Sequence, residues 1–318
     1  TPTGGEITPI WVTTTTITIG THELRSVRKR SRDIDTWWQI EYPLKTPRDI
    51  EAYLSVPPGA PCGAPVTSHV LEAERRLGDT GIVMLDTGDP LCAACSMMEM
   101  GTFTVIALTE PALFHRLLQR FAAQLYPKTE AVAAALPGRL WRIYGAEYAS
   151  VPYLPPSLFE EYWLRYTRPM IDSIRRHGGH ARVHSHGNLS DILDHILASG
   201  CDGLDPVEPP PQGDVTLADV RRRAGEDLVL FGNLEVSDIE NLPTPLFVEK
   251  VECALREGPN AQGSRFVLMP SACPYGRKLA ELTLANYRAM VETVQQWSRS
   301  RVPAQINTCT EAPSVPVA

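Results

Sequence analysis

The sequence has no apolar run approaching the roughly 20 residues that a membrane-spanning helix requires. Its first ten residues, TPTGGEITPI, also lack the basic segment and apolar core of a secretory signal peptide. These two absences exclude a helical membrane protein and predict a soluble, cytoplasmic one.

An excess of basic charge is missing as well. The chain carries 30 Lys and Arg residues against 37 Asp and Glu residues, which gives a formal net charge of −7. Its densest basic cluster, Arg25 to Arg32, is mixed with polar and β-forming residues, which is typical of a solvated edge hairpin. Nucleic acid is therefore not expected as a partner.

Cysteines are few and odd in number: seven are scattered over 318 residues. This excludes the dense disulfide framework of a small secreted protein. Cys92 and Cys95 form a C-x-x-C pattern, but three methionines follow within five residues, at 97, 98 and 100. The pattern therefore favours core packing over redox chemistry.

Neither a G-x-G-x-x-G motif nor a P-loop occurs, although one of them commonly marks the nucleotide site of an open, doubly wound sheet. Short apolar runs instead alternate with amphipathic segments, which predicts parallel strands joined by crossover helices. The predicted strands are Gly81 to Leu85, Leu140 to Tyr144, Ala181 to His184, Gly203 to Val207, Leu228 to Phe231 and Phe266 to Met269. Polar residues follow most of these runs, which favours a (β/α)₈ barrel, the TIM barrel, whose strand ends meet at one mouth.

This barrel is expected to form a single domain over residues 1–318. Residues 8–42 are rich in Thr, Ile, Val and Trp and predict a β-hairpin or meander appended to it. Residues 300–318 are expected to be a disordered tail. Helix starts are expected at Pro47, at Ser157 with Glu160, at Ser190, at Thr216 and at Thr244.

Polar side chains at the predicted strand ends are the candidates for chemistry. Those assigned to catalysis are Asp86, Glu147 and Asn233. Those assigned to substrate binding are Tyr148, Glu208, Glu235 and Tyr275. Glu147 could act as a general acid–base or a further metal ligand, and a structural partner for an arginine is the alternative. Asp89 is favoured as the cap of the next helix.

Two histidines stand two residues apart in the predicted strand ARVHSH. Because alternate residues of a strand share a face, His184 and His186 should project together toward the mouth. Two neutral imidazoles suit a borderline metal such as zinc, and Cys273, after the last predicted strand, is the candidate third ligand. The alternative is that the imidazoles hydrogen-bond substrate or carboxylates and that Cys273 is a buried thiol.

Three long segments carry a resemblance to a known family: GAEYASVPYLPPSLFEEYWLRYTRPMIDSIRRHGGHARVHSHGN, GCDGLDPVEPPPQGDVTLADVRRRAGEDLVLFGNLE and FVLMPSACPYGRKL. They resemble the uroporphyrinogen-decarboxylase superfamily over residues 36–297, and they are closer to its corrinoid-linked methyltransferase branch. That branch binds zinc through a His-x-Cys-Gly motif and a distant cysteine. In this chain His184 matches the histidine, His186 replaces the first cysteine, and Cys273 matches the distant cysteine.

The resemblance implies a metal-dependent methyltransferase or demethylase that acts on a small-molecule substrate, with zinc as cofactor and a corrinoid protein as partner. A homodimer is also considered. The alternative is a metal-free decarboxylase, a lyase, but the arginine-rich motif that binds porphyrin carboxylates is absent and only Arg142 and Arg182 are candidates. A third reading is a divergent barrel that serves as an assembly partner. The family's first barrel strand and helix have no counterpart ahead of the hairpin.

Overall fold

The computed structural model of the protein describes residues 10–32, 34, 36–59, 63–274 and 278–301. The chain begins with a three-stranded antiparallel meander, which confirms the β prediction for residues 8–42 within the described range. Its strands are β1 (Ile10–Ile19), β2 (His22–Ser31) and β3 (Trp38–Glu41), in the order β1-β2-β3. The basic cluster lies on β2, the middle strand, so its assignment to a sheet edge was wrong: β1 and β3 pair along its two sides.

A six-stranded parallel sheet forms the main body. It contains β4 (Met84–Gly88), β5 (Leu140–Tyr144), β6 (His180–Ser185), β7 (Gly203–Pro206), β8 (Val229–Leu234) and β9 (Phe266–Pro270). The strands are ordered β4-β5-β6-β7-β8-β9, so each one pairs with its neighbours along the chain. A doubly wound sheet reverses its order at a switch point, and this sheet does not, as expected of a barrel. Within the described residues the sheet has six of the eight strands of a complete barrel.

Helices connect the strands and cover one side of the sheet. They are α1 (Pro47–Ser55), α2 (Ser68–Leu77), α3 (Pro90–Cys95), α4 (Met100–Thr109), α5 (Pro111–Ala135), α6 (Arg165–Arg176), α7 (Leu193–Ala198), α8 (Leu217–Ala224), α9 (Val236–Asn241), α10 (Thr244–Glu257) and α11 (Glu281–Arg301). No helix in the described part of the chain is both long and apolar enough to span a bilayer.

Local capping signals were only partly reliable. Thr216 forms the expected cap of α8, in a reciprocal box with Asp219, and Asp89 caps α3 by accepting a hydrogen bond from the Cys92 amide. Helices α1 and α10 begin at the predicted Pro47 and Thr244. Two predicted caps were wrong: Ser157 lies inside a 3₁₀ turn (Pro156–Leu158) instead of capping the helix that follows, and Ser190 donates its hydroxyl to Asp214 instead of capping α7.

Alternation along the strands separates an apolar face from a polar one. On β5 and β6, Trp141, Ile143, Ala181 and Val183 are buried in the core that packs against the helices. The residues between them belong to the opposite face, which would be the inside of the barrel. Polar and charged side chains on this inner face build the candidate site.

Candidate active site

A layer of charged side chains crosses the inner face. Asp86 of β4, Arg142 of β5 and Arg182 of β6 lie side by side in the parallel register, so all three project from the same level of the sheet. Arg142 binds Asp86 through two parallel hydrogen bonds of 2.7 and 2.9 Å. Both partners are partly exposed, with 31% and 46% of their side-chain surfaces accessible. Asp86, assigned to catalysis from the sequence, thus has both oxygens engaged by an arginine.

Arg182 forms a second, buried pair with Asp205 of β7. The Arg182 Nε and Asp205 Oδ1 atoms lie 2.9 Å apart, close enough for an ion pair, although the angle is not that of a hydrogen bond. The side chain of Asp205 is fully buried and that of Arg182 is 7% exposed. The other Asp205 oxygen, Oδ2, lies 2.7 Å from Nδ1 of His184. Asp205 therefore connects the charged layer to the first candidate histidine.

His186 has an equivalent carboxylate partner. Its Nδ1 lies 2.7 Å from Oε1 of Glu208, while Oε2 of Glu208 accepts a 2.7 Å hydrogen bond from the Gly187 amide. Gly187 has a φ of +78°, which favours glycine, and the chain turns off β6 there as the sequence predicted. Both Glu208 oxygens contact the chain itself, so Glu208 positions His186. Its role in substrate binding stays a prediction.

This contact shifts the pKa of both partners. The hydrogen bond to Glu208 raises the pKa of His186 against the opposing effect of burial. Burial raises the pKa of Glu208, but the hydrogen bonds from His186 and Gly187 outweigh it and leave the pKa below its usual value.

The two imidazoles lie together, as their spacing predicted. Their ring centres are 4.6 Å apart and the rings are nearly perpendicular. Since a carboxylate only accepts hydrogen bonds, Asp205 and Glu208 each favour a proton on Nδ1, and the neutral ring then keeps its lone pair on Nε2. Metal-binding imidazoles are commonly held by a carboxylate in this way. The two Nε2 atoms, each with a free lone pair, can bind a metal ion or accept a proton from the substrate.

Glu147 is held in a 3₁₀ turn (Ala146–Ala149) that follows β5. Its Oε2 atom is buried without a hydrogen-bond partner, and its charge contributes to the raised pKa of His186. A Cβ atom at Gly145, where φ is +132°, would collide with the Asp89 carboxylate, so this turn is packed directly onto Asp89. Glu147 thus combines a buried, unsatisfied oxygen with proximity to the imidazoles, which suits the predicted role in proton transfer.

Zinc fits two of its three predicted ligands. His184 and His186 have the right donor chemistry and the carboxylate support. Cys273 is exposed, and it helps to raise the pKa of Tyr287 in α11, which places its thiol beside that helix. Within the described residues no three His, Cys, Asp or Glu side chains form a group that could hold a metal ion. The structure therefore does not assemble the predicted triad, and the zinc site stays a prediction.

Three further sequence candidates lie at the same end of the sheet. Asn233 is half-buried near the end of β8. Glu235 is buried and accepts a 2.9 Å hydrogen bond from the Ser271 hydroxyl. Tyr148 is half-buried, and its surroundings raise the pKa of its phenol, mainly through burial. Tyr275 lies outside the described residues. The roles of these four residues in substrate binding or catalysis stay predictions.

The charged layer was only partly foreseen. The contacts of Asp205 with Arg182 and His184 were not predicted from the sequence. The sequence feature that indicates such a contact is the position of Asp205 in the run GLDP, which forms the next strand of the chain after β6. Adjacent parallel strands bring such residues together, but the sequence alone does not fix their register.

Comparison with known proteins places these residues in a family. The family model described as "Uroporphyrinogen decarboxylase (URO-D)" matches residues 36–297. A chloroplastic uroporphyrinogen decarboxylase of Nicotiana tabacum is 29% identical over 209 residues, which cover 61% of this chain and 49% of that enzyme. The uroporphyrinogen decarboxylase of Photobacterium profundum is 27% identical over 219 residues, 63% of this chain and 56% of that protein. The chain thus spans about half the length of these relatives.

A solved structure has a related fold. A methyltransferase from Methanosarcina mazei superposes with a TM-score of 0.58, covering 83% of this chain and 74% of its own. Its sequence identity is 18%, so the likeness concerns the fold alone. The family model and the sequence relatives agree with the superfamily resemblance drawn from the motifs, and the solved structure agrees with the predicted fold class.

Proposed function

The chain belongs to the uroporphyrinogen decarboxylase (URO-D) family, and from that premise we propose that it is a zinc-dependent methyltransferase or demethylase. The observation that carries the proposal is the pair of imidazoles at the end of β6, each with its Nδ1 held by a buried carboxylate. His184 and His186 would hold the ion, and Cys273 is the candidate for the third ligand. The partner would be a methyl-corrinoid protein and the substrate a small molecule, both as the family resemblance implies.

The chemistry that zinc supplies when bound is Lewis acidity, which lowers the pKa of a thiol or hydroxyl nucleophile. The chain's own residues would do the rest. Glu147, with its unpartnered buried oxygen, would accept the proton that the nucleophile releases. Asp205 and Glu208 hold the two rings, while Asn233 and Glu235 would orient the substrate.

The charge of the site supports a cation over a polycarboxylate. Five carboxylates surround the inner face and its mouth, at positions 86, 147, 205, 208 and 235. Its two arginines, Arg142 and Arg182, are each already paired with an aspartate. Among the described residues of this face, a substrate with several carboxylates would meet repulsion without an unpaired arginine to bind it, whereas a divalent cation would be attracted.

A metal-free decarboxylase is the second candidate, and the specific observation in its favour is that the curated sequence relatives carry that name. In that case the His184 and His186 rings would exchange protons with the substrate directly. Decarboxylation of a porphyrinogen by the purified protein would replace the first proposal by this one.

The zinc proposal is tested by elemental analysis of protein loaded with zinc and then freed of excess metal. We expect about one zinc ion per chain in the wild type, and loss of that zinc in His184→Gln and His186→Gln. His180→Gln is the matched control, because His180 lies on the same strand but is exposed at its other end. Wild-type protein that retains no zinc, or variants that retain it fully, would eliminate the proposal.

A further inference from the structure

We propose that Asp205, supported by Arg182, is a positioning residue that selects the Nδ1–H tautomer of His184 and so directs the Nε2 lone pair toward a ligand. The tautomer follows from geometry alone. Its consequence for metal binding rests on the proposed function.

Both oxygens of Asp205 are committed within a fully buried environment. Oδ2 lies 2.7 Å from Nδ1 of His184, and Oδ1 lies 2.9 Å from Nε of Arg182. The residue has no accessible surface, so water cannot replace either contact. An ionised carboxylate can only accept hydrogen bonds. The His184 atom that faces it, Nδ1, must therefore carry the proton.

The position of Arg182 is itself fixed by packing. Its guanidinium group lies over the ring of Phe231, 4.6 Å from the ring centre. On β7, a Cβ atom at Gly203 would come within 2.8 Å of that ring, so only glycine leaves room for Phe231 there. A continuous set of contacts therefore runs from Gly203 through Phe231, Arg182 and Asp205 to His184.

The neighbouring Arg142–Asp86 pair is a natural control. It has the same residue types at the same level of the sheet, one strand away. It is partly exposed, and neither of its members has a hydrogen bond or ion pair with an imidazole in the described structure. If a charged pair on the inner face merely supported folding or attracted cations, Asp86→Asn and Asp205→Asn would act alike on the imidazoles.

The experiment records two-bond ¹H–¹⁵N spectra of metal-free protein labelled on its histidine rings, at about pH 9, above the ordinary pKa of imidazole. His184→Gln identifies the His184 signals. We expect an Nδ1–H ring at His184 in the wild type and in Asp86→Asn. In Asp205→Asn the His184 signals should shift toward the Nε2–H form, while His186 keeps its own.

Zinc titration of the same proteins is the second measurement. Loss of a carboxylate that supports a ligand weakens binding by about 10- to 100-fold, and we expect that loss in Asp205→Asn and less than about twofold in Asp86→Asn. An Nε2–H ring at His184 in the folded wild type would overturn the proposal without any variant. So would an unchanged tautomer in folded Asp205→Leu, whose side chain offers Nδ1 no acceptor. Failure of the wild type to bind zinc would instead reject the proposed function, because the tautomer is read without metal.

Discussion

Two buried carboxyl groups, Asp89 at the end of β4 and Glu208 at the mouth, have pKa values that are shifted in opposite directions. Asp89 is completely buried, and its pKa is raised to about 7 by burial, with the nearby charge of Glu147 adding to the effect. Glu208 is 9% exposed, yet its pKa lies below the usual value. The difference lies in the partners: Asp89 accepts hydrogen bonds from the Cys92 amide and the Trp163 indole, whereas Glu208 also faces an ionisable imidazole.

The comparison shows that an ionisable partner can offset the effect of burial and keep a carboxyl group ionised at the site. It also separates two kinds of role. Asp89 maintains the packing under the Glu147 turn, and Asp205 and Glu208 hold imidazoles. Substitutions of four carboxyl groups test this division. In order from the largest expected effect to the smallest, they are Asp205, Asp89, Glu208 and Asp86.

Replacing Asp205 by alanine should have the largest effect on stability. The change leaves Arg182 buried and unpaired and removes the hydrogen bond of His184, and breaking a buried pair in this way costs about 3–5 kcal/mol. Chemical denaturation of the wild type and the variant measures the difference in unfolding free energy. A loss below about 1 kcal/mol would mean that the Asp205 contacts are not maintained in solution.

Asp89→Asn should change the pH dependence of stability. A carboxyl group whose pKa is raised from 3.8 to about 7 on folding makes the folded state lose stability as pH rises from about 4 to 7. We expect the wild type to lose on the order of 4 kcal/mol over this range from this group, and the asparagine variant to lack that part of the slope. Denaturation at several pH values measures it, and identical slopes would contradict the account of Asp89.

Glu208→Gln should produce a smaller effect of the same sign. The hydrogen bond to Glu208 raises the pKa of His186, so the pair stabilises the fold while Glu208 is ionised and His186 is protonated, and this contribution is lost as pH rises through the higher folded pKa of His186. The wild type should exceed the variant by on the order of 1 kcal/mol at about pH 5–6, and the gap should narrow at alkaline pH. NMR titration of His186 should show a lower pKa in the variant. An unchanged pKa would remove Glu208 as its cause.

Asp86→Asn should have the smallest effect, because both members of the Arg142 pair are partly exposed to water. Pairs of this kind contribute about 0–1 kcal/mol, so denaturation midpoints of variant and wild type should nearly coincide. A loss as large as that of Asp205→Ala would show that burial does not distinguish the two arginine–aspartate pairs. Reduced turnover with unchanged stability would support the catalytic role that the sequence predicted for Asp86.

Local periodicity accounts for what the sequence could predict. The strand over Leu140–Tyr144 has the predicted bounds, and the shared face of His184 and His186 follows from alternation within one strand. The first strand was misplaced, at Gly81 to Leu85 instead of Met84–Gly88, because Ile82 is apolar in sequence but exposed after a 3₁₀ turn.

Local sequence patterns did not predict contacts between segments that are far apart in the chain. The pairing of Asp205 with Arg182 depends on the register between two strands, which packing decides. The expected grouping of Cys273 with the histidines depends on the path of a loop, which neither propensity nor spacing specifies. Chemistry within one strand was therefore predicted better than chemistry between strands.

X-ray absorption at the zinc edge of the zinc-loaded protein tests most directly whether two imidazoles on β6 bind one ion. The account predicts nitrogen scattering at about 2.0–2.1 Å with the outer-shell pattern of two imidazole rings, and it predicts that this pattern is lost in the double variant His184→Gln/His186→Gln. A sulfur shell at about 2.3 Å that disappears in Cys273→Ser would identify the third ligand. A zinc spectrum without imidazole scattering, or one that the double variant leaves unchanged, would contradict the account.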